Sequence, residues 1–289
     1  MQRGFLFEPE AMARTELQDA IARLDFHSAL RRMEEFQRVW PEAKLTWEPE
    51  LVRAGSKVAA KQMDLDSGYG AWQKLEARLN TLDVSRSWTA SLRQNFFSRL
   101  LAANRKLFED LRTAAGRSVG DFYLLAEQPR NARRRYENEI QQIGDGWKVR
   151  LQLGNCDYRL GHGPVAHSNY HWSFLLGLQE DGWARIEDSS FLARLRTADE
   201  AEWAFPELCA AGQLPPARFS SCSEFDAFKR KFGAAFIESP SPLRFCLYWV
   251  VSENKPFCSD GELINARMQL KTLHPRLHAQ YMQRLAQGS

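Results

Sequence analysis

No stretch of this chain is apolar for long enough to cross a bilayer, which takes about 20 residues. The longest apolar run, around Phe245 to Val251, falls far short. The opening MQRGFLFEPEAM offers only three consecutive apolar residues before Glu8, too few for the core of a signal peptide. A cytoplasmic protein without membrane contact is the expectation. Cysteine is sparse and scattered: Cys156, Cys209, Cys222, Cys246 and Cys258 are odd in number and form no C-x-x-C pair. That argues against a disulfide framework and points to reduced thiols. The phosphate-cradling GxxxxGK[ST] and GxGxxG and the zinc-binding HExxH are all missing.

A large charge of one sign is missing as well, since the net charge of the 289 residues is +3. Its distribution is uneven. From Arg86 to Arg135 there are eleven lysines and arginines against four acids, Glu109, Asp110, Asp121 and Glu127. The densest part is the arginine face Arg130, Arg133, Arg134 and Arg135. Guanidinium forks suit both phosphates and carboxylates, so nucleic acid and an acidic protein surface are the two partner classes this face could serve. The chain also uses 29 arginines to 10 lysines throughout, so part of the density is a habit of composition.

The first half reads as helical. Pro9 suits a first helical position, and Leu17, Ala20, Ile21 and Leu24 recur at helical spacing. A second helix carries Leu30, Met33, Phe36 and Trp40 on one face and stops at Pro41. Pro49 opens a third, with Val52, Val58, Ala59 and Met63 on its inner side. Tyr69, Trp72, Leu75, Leu79 and Leu82 make a fourth. A fifth is predicted from Trp88 through Leu92, Phe96, Leu100, Ala103, Leu107 and Leu111 to Ala114, capped by Gly116. Unbroken, it would be roughly 40 Å long. Two short helices follow over Gly120 to Ile140, joined at Glu127-Gln128-Pro129.

In that last segment Gly120, Ala132 and Tyr136 fall where tetratricopeptide repeats place their glycine, small alanine and following aromatic. FHSALRRMEEFQRVWP, Phe26 to Pro41, is similar to the second helix of another such unit, with Ala29 and Pro41 twelve apart. The resemblance implies stacked helical pairs that dock a protein partner. It assigns no binding residue to this sequence.

The second half reads differently. Trp147, Val149, Leu151 and Leu153 alternate with polar residues, which predicts a strand. Residues 171–178 and 183–187, flanking Glu180-Asp181-Gly182, predict a hairpin. LRFCLYWVV, Leu243 to Val251, predicts a buried central strand. Capping boxes are expected at Thr197–Glu200 and Ser221–Glu224, and Pro275 divides a final helical run into 262–273 and 276–286. The resulting expectation is an α+β chain. Residues 1–143 form an all-α, tetratricopeptide-like domain, and 147–289 a small mixed α/β domain.

No cofactor is predicted outright, and three weaker features could carry chemistry, with zinc or magnesium as the candidate ions. Cys156, His162, His167 and His171 cluster within NCDYRLGHGPVAHSNYHW, and imidazole with thiolate is a zinc donor set. Glu253-Asn254-Lys255, with Asp188 as a second acid, has the acid-x-lysine form of a magnesium-dependent nuclease. The arginine face is the third. The leading expectation is a scaffold subunit of a multiprotein system that docks a protein partner. A nucleic-acid-binding protein or nuclease is the first alternative and a metal-dependent hydrolase the second.

Overall fold

The computed structural model describes residues 9–49, 51–53, 63–82, 84–104, 110–217 and 219–287. Fifteen α-helices carry labels here. They are α1 (Pro9–Ala22), α2 (Phe26–Val39), α3 (Leu65–Leu79), α4 (Arg86–Ala103), α5 (Val119–Leu125), α6 (Pro129–Gln142), α7 (Trp147–Arg159) and α8 (Gly163–Leu175). Then come α9 (Ser189–Arg196), α10 (Ala204–Ala210), α11 (Cys222–Lys231), α12 (Ala235–Glu238), α13 (Ser241–Glu253), α14 (Asp260–Leu273) and α15 (Pro275–Gln287). Short 3-10 turns lie at Glu180–Arg185, Ala201–Trp203 and Lys255–Phe257. The chain divides into two compact units, Met1–Arg135 and Tyr136–Ser289, with the boundary inside α6. No described helix is long and apolar enough to cross a membrane.

In the first unit α1 packs on α2 and α4, and α4 on α3 and α5. Side chains start these helices: Asp25, Asp64, Ser85 and Ser118 each accept a hydrogen bond from a backbone N–H in the first turn, satisfying donors the helix itself leaves open. The core is aromatic. Trp72 lies 5.5 Å from Phe96 and 5.8 Å from Phe97, and Phe97 lies 6.1 Å from Phe122. Ala29, Gly120 and Ala132 are buried, as small residues are where helices approach closely. These packed helix pairs are compatible with helical repeats.

The predicted fifth helix is shorter than its periodicity suggested. α4 ends at Ala103, where Asn104 turns its side chain back onto the carbonyls of Met63 and Leu100. Leu107 lies outside the described residues, as do Val58 and Ala59 of the third predicted helix. Leu111 and Ala114 belong to a non-helical segment in which Arg112 bridges Ser118. Gly116 does take a left-handed conformation, at φ 77°, but in the turn closed by its N–H on Thr113 rather than at a helix end.

The mixed α/β expectation for the second half is overturned: among the described residues there is no strand or sheet, and those of the second half form helices joined by turns and loops. The predicted strand at 147–153 is the start of α7. Val149, Leu151, Leu153, Asn155, Cys156 and Asp157 are all buried there, so the helix is enclosed on several sides and its short apolar alternation does not mark one face of a sheet. Residues 171–175 finish α8 in place of the first hairpin strand. Gly182 of the expected hairpin turn sits in a 3-10 turn against Leu178, and the positive φ nearby (106°) belongs to Gly177. The predicted central strand at 243–251 is α13, entered through Pro242 and packed on α8, α10, α12 and α14. A helix surrounded on all sides is apolar all round, and that removes the period that would distinguish it from a strand.

Thr197 closes α9, its hydroxyl donating to Arg194 O, and opens no capping box. Ser221 does cap α11 through Glu224 N, and Ser259 with Glu262 forms a full capping box for α14. Pro275 begins α15, the break predicted between the last two helices.

Candidate functional site

The feature with the most chemistry lies inside the second unit. α8 supplies His171, α10 supplies Cys209 and α13 supplies Cys246, all three with 1% or less of their surface exposed. Cys209 Sγ lies 3.7 Å from His171 Nε2 and 3.8 Å from Cys246 Sγ. The three donor atoms lie within 4.8 Å of one another, the one such group among the described residues. Aromatic rings enclose the imidazole, with Trp249 edge-on at 5.4 Å and Phe205 parallel at 6.5 Å. Burial alone pushes the His171 pKa down to about 3, so the ring is neutral at neutral pH. Burial, followed by the neighbouring Cys246 thiol, pushes Cys209 well above the ordinary thiol range.

Only His171 of the four metal donors expected from the sequence belongs to this cluster. His167, one turn earlier on α8, places Nε2 2.9 Å from Asp188 Oδ2 and stacks on Phe191 at 4.7 Å. His162, at the start of α8, is half exposed with Nδ1 3.6 Å from Asp157 Oδ1. Cys156 is buried on α7. Cys209 and Cys246 carried no signal in the sequence, because their spacing matches no zinc pattern and they meet His171 only through the packing of three helices.

A buried polar network links α7 to α8. Asn169 donates to Asp157 Oδ2 at 2.9 Å, Arg150 donates to Asn169 at 3.2 Å, and Arg150 grips both oxygens of Asp145 at 2.8 and 2.9 Å. Asn155 Oδ1 accepts from Tyr170 Oη at 3.0 Å and from Glu187 N at 3.1 Å. These contacts satisfy buried groups and hold the helices in register.

The acid-x-lysine residues are engaged separately. Glu253 pairs with Arg284 of α15, and Asn254 donates to the carbonyls of Ala217 and Val250. Lys255 is exposed in a 3-10 turn, and Asp188 pairs with His167. A cavity of about 270 Å³ is lined by Arg194, Glu207, Gln213, Arg276 and Gln280 among others, and Arg276 lies 3.1 Å from Asp199.

In the first unit the arginine face divides. Arg130 and Arg134 are exposed, whereas Arg133 and Arg135 are half buried, and Arg135 reaches over the Tyr123 ring at 6.0 Å.

No family model, curated protein or solved structure matches this chain.

Proposed function

We propose that this chain is an interaction subunit of a multiprotein assembly. It docks an acidic protein partner through its helical first unit and the outer face of α6. The observation that carries the reading is the pair Arg130 and Arg134, one turn apart and both exposed, on a helix that buries Ala132 and Tyr136. Arginines at i and i+4 present two forks in one direction, the arrangement that grips carboxylates on a facing surface. The tetratricopeptide-like spacing of Gly120, Ala132 and Tyr136 belongs to the same proposal, since repeats of that kind bind protein segments along stacked helix pairs.

The test compares native complexes formed by the full chain with those formed by Arg130→Glu/Arg134→Glu. The wild type is expected to hold a stoichiometric partner that charge reversal releases, with affinity falling at least about tenfold. A solitary monomer, or a partner held equally by both forms, would overturn the reading. Tight and steeply salt-dependent binding of the wild type to DNA or RNA would replace it with the nucleic-acid alternative.

A further inference from the structure

We propose that His171, Cys209 and Cys246 form a buried zinc site that ties α8, α10 and α13 together. The inference is independent of the docking surface proposed above, which lies in the other unit.

The donor set comes first. Two thiolates and one neutral imidazole are preferred zinc ligands, and with Zn²⁺ they form a centre of zero net charge. Neutrality matters because the cluster is closed in by Trp249 and Phe205, where an uncompensated charge is costly.

Geometry gives the second argument. Zn–S bonds of about 2.3 Å and Zn–N bonds of about 2.0 Å, at tetrahedral angles, place sulfurs about 3.8 Å apart and sulfur from nitrogen about 3.5 Å apart. The observed separations are 3.8 Å between the sulfurs and 3.7 Å from Cys209 to the imidazole, with Cys246 and the imidazole within 4.8 Å of each other.

The third argument is hydrogen bonding. His171 Nε2, deep in the core, faces a thiol at 3.7 Å, and a thiol is a poor substitute for the water that the ring loses on burial. A metal ion would use the donors on all three helices at once. Binding releases one proton from each cysteine thiol, and both leave to solvent as the two Zn–S bonds form. Three protein ligands leave one of zinc's four positions for a water, which keeps the centre neutral. At 1% exposure or less for every ligand, the ion's role is structural.

The experiment measures metal in full-length protein purified without chelator under reducing conditions. It then refolds the chain from denaturant with Zn²⁺ or Co²⁺, so that a closed core is no barrier to entry. About one zinc per chain is expected. The cobalt form should show thiolate-to-cobalt charge transfer and the intense visible bands of a tetrahedral centre. Cys246→Ala is expected to keep its helical circular dichroism, to abolish stoichiometric zinc and to weaken the charge-transfer band. Should that variant fail to fold, the cobalt spectrum of the wild type decides alone. Three results would overturn the site: a wild type that folds metal-free and takes up neither ion on refolding, a Cys246→Ala variant with full zinc, or a Cys209–Cys246 disulfide in metal-free native protein. Stoichiometric copper in place of zinc would overturn the assignment of the ion.

Discussion

His167 and Asp188 bind two helices through one carboxylate. Asp188 Oδ2 lies 2.9 Å from His167 Nε2 on α8, while Oδ1 accepts from Ser190 N, Ser190 Oγ and Phe191 N at the start of α9. Burial pushes the Asp188 carboxyl up, but these hydrogen bonds outweigh it and hold the pKa near about 2, below the ordinary 3.8. With the folded value depressed, the unfolded chain binds more protons in this range. The stabilisation is therefore complete above the ordinary value and is lost as pH falls toward the folded one. Asp188→Ala should cost about 2 kcal/mol at neutral pH by urea unfolding, and the gap to wild type should close between about pH 4 and pH 2. A variant as stable as wild type at neutral pH would show that the carboxylate adds nothing to the fold.

At Gly154 α7 packs closely against α8. A Cβ there would come within 2.5 Å of Tyr170 Cε1 and 3.2 Å of Ala166 O. Tyr170 is fully buried and hydrogen-bonded to Asn155, so its ring has nowhere to go. Gly154→Ala is expected to destabilise by about 2 kcal/mol through overpacking. Gly70, inside α3, has nothing within 4 Å of such a carbon. The same change there should stabilise by about 0.5–1 kcal/mol, because alanine loses less backbone entropy in a helix. Equal shifts in urea midpoint for the two variants would contradict this packing.

The helices of the first unit were readable because one side of each faces solvent and leaves a period in the sequence, as with Leu17, Ala20 and Ile21 on α1. The second unit was misread where its helices are most enclosed. Phe245, Cys246, Leu247, Trp249 and Val250 are all buried on α13, and a run apolar at every position has no period to arbitrate between helix and strand. Trp147 to Leu153 spans only about two helical turns, too short for alternation to exclude a helix. His171 was legible as a donor, but its partners lie 38 and 75 residues further along the chain. Sites assembled from three helices have no spacing signature; only the packing reveals them.

Asp66 anchors the non-helical segment that lies beyond the early end of α4. Its Oδ1 accepts from Thr113 Oγ1 at 2.8 Å and Arg117 Nη1 at 2.9 Å, and its Oδ2 from Ala115 N at 2.9 Å. One side chain in the first turn of α3 thus holds the 112–118 turn in place. Asp66→Ala should release that turn without unfolding the unit. Trypsin, which cuts after arginine, would then cleave after Arg112 or Arg117 several-fold faster than in wild type, with helical content unchanged. Unchanged cleavage at both sites would mean that the turn is held by other contacts.

Among the described residues of the first unit Glu48 is the most deeply buried acid, with none of its surface exposed. Its Oε1 accepts from Arg14 Nε at 2.8 Å and Gln18 Nε2 at 2.9 Å, and its Oε2 from Thr46 N at 3.0 Å. Burial pushes the carboxyl up, yet the hydrogen bonds from Arg14 and Gln18 bring it below the ordinary 4.5. Its contribution is accordingly present above that value and lost as pH falls below it. Removing Arg14 leaves the carboxylate buried with its charged partner gone, so Arg14→Ala should cost about 2 kcal/mol at neutral pH. The same loss lets Glu48 take up a proton more readily, moving the midpoint of acid unfolding upward. Arg14→Ala/Glu48→Gln removes the stranded charge and should recover part of the stability. A double variant no more stable than Arg14→Ala would show that the arginine acts through the packing of its stem and not through the carboxylate.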